Sequence, residues 1–162
     1  MEQDFAEAGY WDVDIIRSVG LRERSEMPHT IRFNSELGVI VLRAKRSMDF
    51  VELESALEEL VHVPGFTGGL SLIVDFRGSD TPITTSEVRR LAVYAQQTDA
   101  RWGDTKWCFL ASDDVTFGLS RMFMALTSKH QVETHVFRDL ESANDWLGLG
   151  VGADDVLART PD

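Results

Sequence analysis

Val136-Phe137-Arg138-Asp139-Leu140-Glu141-Ser142-Ala143-Asn144-Asp145-Trp146-Leu147 passes from a short apolar strand, through an aspartate, into an amphipathic helix. Asp139 is the residue type that caps a helix, because its carboxylate accepts from the free N–H groups of the first turn. Just upstream, Val115, Leu119, Met122, Phe123 and Leu126 recur at helical spacing and are entered through Ser112-Asp113. Before them, Trp107 to Ala111 is an unbroken apolar run. The end of the chain therefore predicts strand, helix, strand, helix, which is an α/β pattern.

Farther upstream the same alternation holds. Leu70-Ser71-Leu72-Ile73-Val74 predicts a central strand buried on both faces. The helix after it carries Val88, Leu91, Ala92 and Ala95 on one face. Phe50, Leu53, Leu57, Leu60 and Val61 make an earlier helical stripe, with Asp49 and Glu52 spaced as a capping box and Pro64-Gly65 as its stop. Ile31 and Phe33, then Val39 to Leu42, flank the turn Asn34-Ser35-Glu36-Leu37-Gly38 and predict a β-hairpin. Strands that alternate with helices imply a mostly parallel sheet with right-handed crossovers. Such crossovers put their helices on one face, so the other face needs cover from residues 1–28 or a second subunit.

Residues 1–28 read as an N-terminal extension, in which Trp11, Val13 and Ile15 alternate with acidic residues as in a short strand. Residues 29–149 form the domain, and residues 150–162 read as a flexible tail. With 16 Lys and Arg against 27 Asp and Glu, the net charge of −11 repels phosphate backbones and anionic headgroups. Neither nucleic acid nor a membrane is an expected partner. A lone cysteine, Cys108, admits no internal disulfide, and no apolar run has the length of a signal peptide or a span. A cytoplasmic protein is expected, with Cys108 acting as a small core hydrophobe.

Gly38-Val39-Ile40-Val41, Ile73-Val74-Asp75-Phe76-Arg77-Gly78, Arg121-Met122-Phe123 and Val136-Phe137-Arg138-Asp139 with Ala143 and Trp146-Leu147 resemble the SpoIIAA-like branch of the STAS superfamily. The resemblance covers residues 30–148. It implies a singly wound β/α superhelix, related in shape to the CRAL-TRIO lipid-transfer domains, and brings little chemistry with it. In the anti-sigma-factor antagonists of that superfamily, a phosphorylated serine stands in an Asp-Ser-Ser/Thr-Gly tetrad at a helix N-terminus. The corresponding stretch here is Ile83-Thr84-Thr85-Ser86, which keeps hydroxyls at Thr84 and Thr85 but lacks the aspartate and the glycine. Thr84 with Glu87 is equally a helix capping box.

Other candidates are structural or chemical by turns. Asp75, Asp113, Asp114 and Asp139 follow strands and should gather at the carboxyl edge of the sheet, where α/β folds bind ligands and where carboxylates can hold Mg²⁺. Asp113 and Asp139 also stand where helices need caps. His130 and His135 have no third ligand near them in sequence, so no metal or cofactor is assigned. Gly65-Phe66-Thr67-Gly68-Gly69 precedes its strand rather than following one, which makes it a loop and not a phosphate cradle. No nucleophile elbow is present. Phe117 and Met124 lie off the main stripe of their helix, and with Tyr94 they are the expected lining of an apolar site. The pattern supports a non-enzymatic module that binds an apolar small molecule or a protein partner, itself as a homodimer included. The alternative is a regulatory module controlled by phosphorylation of Thr84 or Thr85.

Overall fold

The computed structural model describes residues 28–34, 36–62, 66, 68–150 and 156, together with the backbone of Tyr10–Asp12. The strands β1 (Tyr10–Asp12), β2 (His29–Asn34), β3 (Val39–Ala44), β4 (Ser71–Asp75), β5 (Thr105–Leu110) and β6 (Val132–Phe137) lie in the sheet in chain order. The first three pair antiparallel, and β3 to β6 are parallel. The helices are α1 (Phe50–Leu60), α2 (Thr85–Trp102), α3 (Asp114–Thr127) and α4 (Leu140–Leu147). This is the mostly parallel, singly wound α/β arrangement with an N-terminal hairpin that the sequence predicts. Tyr10–Asp12 pairs with β2 as a short strand, and the remaining calls on residues 1–27, the side chains of Tyr10, Trp11, Val13, Ile15 and Ile16 among them, lie outside the described residues.

Local chemistry sets the element ends. In the β2–β3 turn the Asn34 Oδ1 accepts from the Leu37 N–H at 3.0 Å. Gly38 closes that turn at φ +62°, a region where a side chain would be strained. Asp49 caps α1 and exchanges hydrogen bonds with Glu52, as the spacing predicts. Pro64 and Gly65, the expected stop, lie outside the described residues, and α1 itself closes at Val61.

β3 leads through α1 to β4, β4 through α2 to β5, and β5 through α3 to β6. Each step moves the same way along the sheet, so α1, α2 and α3 share one face. Under them Ile40, Leu42, Leu72, Val74, Trp107 and Phe109 meet Leu53, Leu57, Leu91 and Phe123 in the main core. The opposite face presents Val39, Val41, Ile73, Cys108 and Leu110, and among the described residues its cover comes from α4 and Val156. After β6 the sheet has ended, so α4 turns back beneath it and packs Leu140 and Ala143 there, joined by Val156. Val156 is 1% exposed. Lys106 pins α4 to β5 by donating to the Trp146 carbonyl at 2.9 Å.

α3 departs from its predicted stripe. Val115 is 71% and Leu126 39% exposed, while Thr116, Ser120, Phe123 and Thr127 are buried. A helix can turn hydroxyls inward when they are satisfied locally. Thr127 donates to the Phe123 carbonyl at 3.0 Å and lies 3.2 Å from the Thr134 hydroxyl of β6.

Candidate functional site

Between the helix layer and the sheet lies a cleft that opens to solvent. Its floor is Val74 of β4 with Trp107 and Phe109 of β5. Leu53 and Leu57 of α1 and Val88 and Leu91 of α2 form one wall. Thr116, Leu119, Ser120 and Phe123 of α3 form the other. Phe76, Thr81 and Ile83, from the segment joining β4 to α2, close the end at the carboxyl edge of the sheet. Among the described residues, no ionisable side chain lines the cleft.

Polar atoms at the cleft are few. Thr81, Thr116 and Ser120 belong to the lining, but the surface they present to the cleft is almost wholly hydrocarbon. Trp107 is 1% exposed, and its indole N–H, itself buried, has no hydrogen-bond partner among the described residues. Around it, Trp102 meets Trp107 edge to face at 4.6 Å, and Phe123 stacks parallel to it at 6.4 Å.

The residues expected to line an apolar site stand elsewhere. Phe117 lies under the Arg138 guanidinium, 4.1 Å from its ring centre. That guanidinium also donates to the Ser112 carbonyl and the Asp114 carboxylate, each at 2.7 Å, clamping the end of β6 to the start of α3. Tyr94 ties α2 to α1 by donating to Glu58 at 2.6 Å. Burial, then that hydrogen bond, pushes the Tyr94 phenol upward from its ordinary value. Met124 is half-buried against the main core. A cavity does lie beside α3, as expected, but along the Thr116–Ser120–Phe123 face rather than the Phe117–Met124 face.

The strand-end carboxylates divide into one buried anchor, two helix caps and Asp114, which pairs with Arg138. Asp75 is 1% exposed and lies on the sheet face away from the cleft, beside its register partner Arg43. Arg77 grips it with two bonds of 2.9 Å, and its own N–H adds a third at 3.1 Å. Arg43 donates twice more at 3.2 Å. Burial alone would raise the Asp75 carboxyl, but Arg77 and then Arg43 outweigh it and hold the group below its ordinary value. A carboxylate so occupied has no lone pair left for a cation. Asp113 caps α3 and Asp139 caps α4, and the N–H groups they accept from hold both below the usual range. Among the described residues no cluster of three or more His, Cys, Asp or Glu is placed to hold a metal. His130 lies 3.8 Å from Asp99, whereas His135 packs on Phe137 and Trp146 on the far face.

Thr84 caps α2 in the capping box its spacing predicts. Its hydroxyl is 2.8 Å from a Glu87 oxygen, so a phosphate there would face a carboxylate and break the cap. Thr85, the first residue of the helix, is exposed. Cys108 is fully buried, and burial, then the charge of Asp75, pushes its thiol up to about 12. It is inert as a nucleophile at neutral pH.

Sequence reasoning passed over Trp107, Thr116 and Ser120. One signal was present: Thr116, Ser120 and Phe123 recur at four and three residues, a helix face with two hydroxyls in it.

No protein-family model and no curated protein matches the chain. Its structure is similar to the crystal structure of an uncharacterized protein of the DUF3478 family with a SpoIIAA-like fold, from Shewanella loihica PV-4. The similarity spans 78% of this chain and 89% of that one, with 12% identity and a TM-score of 0.44. Among the described residues, no helix is long and apolar enough to cross a membrane.

Proposed function

We propose that the protein is a non-enzymatic STAS-like module that takes a small apolar molecule into the cleft between its helix layer and its sheet. The observation that supports this is the cleft itself, an opening between the helices and the sheet whose exposed wall is almost wholly hydrocarbon. Such a lining is characteristic of small-molecule sites. The chemistry needed for catalysis is missing from the same walls, since none of the lining residues is an acid, a base or a nucleophilic thiol.

A thermal-shift screen of small apolar compounds tests it. A compound at ten times its Kd should raise Tm by about 3–6 °C, from about 1.4 kcal/mol of linkage. Ser120→Phe, which places a ring in the cleft, should remain folded by circular dichroism and lose the rise. Met124→Trp, outside the lining, should keep it. A screen in which nothing stabilises the wild type, or in which Ser120→Phe responds as strongly as wild type, overturns the proposal.

A further inference from the structure

We propose that β6 is a docking edge for a second copy of this chain, which adds its own β6 antiparallel about a two-fold axis at Thr134 and so joins the two sheets into one. The proposal goes beyond the cleft reading, since β6 contributes no residue to the cleft. Two observations carry it, the open edge and the charge pattern along it.

β6 ends the sheet and pairs on one side only, with β5. Phe137 accepts from the Ala111 N–H at 3.1 Å, and in a parallel ladder alternate residues bond to the same neighbour. Glu133, His135 and Phe137 therefore turn their backbone groups toward β5, while Val132, Thr134 and Val136 turn theirs outward. Asp99 takes the Val132 N–H at 3.3 Å. Among the described residues, the N–H groups of Thr134 and Val136 have no hydrogen-bond partner. Proteins ordinarily blunt such an edge with proline, lysine, a bulge or very short length. Val132–Phe137 runs six residues in unbroken register, without proline or lysine.

The side chains decide what fits there. An added strand must set outward residues against outward residues, because only those have backbone groups to offer. Centred on Thr134, a two-fold pairs Thr134 with itself and Val132 with Val136 of the second copy. The exposed Glu133 then stands opposite the exposed His135 of the second copy, twice over. Lys106, the register partner of Glu133 on β5, is committed to the Trp146 carbonyl. Centred on Glu133 or on His135, the same operation sets that residue against itself. Opposed glutamates repel, whereas a carboxylate accepts from an imidazole N–H. Of these registers only the one at Thr134 matches acid with base. It offsets locally the repulsion between two copies that each carry −11, and a two-fold of this kind closes as a dimer.

The full chain is followed by sedimentation equilibrium and amide hydrogen exchange at about 5 and about 200 µM, a range that brackets weak dimers. A dimer should form as concentration rises, and the Thr134 and Val136 amides should exchange more slowly in it. Two cysteine variants test the register in a Cys108→Ala background, since Cys108 is the register partner of His135. Glu133→Cys mixed with His135→Cys should form a disulfide dimer on oxidation, because directly opposed residues come within bridging distance. Either variant alone should do so about tenfold more slowly. His135→Glu, at an exposed position, should stay folded and weaken the dimer about tenfold. Where the Cys108→Ala background does not fold, exchange and His135→Glu decide. A monomer at every concentration overturns the proposal, as does a dimer in which both amides exchange as fast as in the monomer. Slow exchange of both amides at every concentration would mean that the chain covers its own edge, and the proposal fails. Cross-linking of one variant alone as fast as the mixture, or a dimer indifferent to His135→Glu, overturns the register.

Discussion

Asp75 is a carboxylate almost out of contact with water, and two guanidinium groups make that possible. Every acceptor position on it is filled, by Arg77 from two residues along and by Arg43 from the adjacent strand. Asp75→Asn should therefore destabilise the protein by about 2–3 kcal/mol at neutral pH, the arginines being partly exposed and able to recover some hydration. The pH dependence has a definite sign. The folded carboxyl lies below its ordinary value of 3.8, so its contribution is present above that value and lost as pH falls through the lower folded one. Urea unfolding at pH 7 and pH 3 should show the gap between wild type and variant narrowing in acid. An equal gap at both values would mean that the charge contributes nothing. The sequence placed Asp75 at a strand end, but its partners were not legible, because Arg43 is 32 residues away and meets it only through strand pairing.

Helix caps were the most legible elements. Asp49, Thr84, Asp113 and Asp139 each accept from the N–H three residues on, and in two of them the glutamate completes the box. These bonds close within one turn, so local sequence suffices to specify them. Thr84→Ala should cost about 1 kcal/mol in chemical denaturation, whereas Thr85→Ala, one residue inside the helix and exposed, should stay within about 0.5 kcal/mol. Equal effects would deny the cap its role. The face of α3 was not legible in the same way. Its hydropathy favoured Val115, Leu119, Met122, Phe123 and Leu126; Phe123 is buried and Leu119 and Met122 pack on the core, but Val115 and Leu126 are exposed, and Thr116, Ser120 and Thr127 are buried instead. Periodicity reports that a helix has an apolar side, while rotation about its axis is fixed by its neighbours. Here the Thr127 hydroxyl meets Thr134 on β6, and Phe117 is drawn aside by Arg138.

Across the whole molecule, charge and topology come from different sources. The net charge of −11 is a property of composition, and it predicts no retardation of duplex DNA or RNA in an electrophoretic assay at physiological salt. A shift that weakens as salt is added would contradict it. Topology follows nearly as directly. Alternating apolar segments of strand and helix length, joined by short connections, leave few arrangements other than a consecutively wound parallel sheet. The sequence by itself therefore determined the order of the elements, the hairpin at their head, the caps and the acidic surface, since each depends on residues close in the chain or on a simple sum. Tertiary structure alone decided the return of α4 beneath the sheet and the pairing of Asp75 with Arg43. It alone also assembled the cleft, whose lining comes from three helices, two strands and a connecting segment. No local pattern encodes a space. It exists only where side chains distant in sequence converge without meeting.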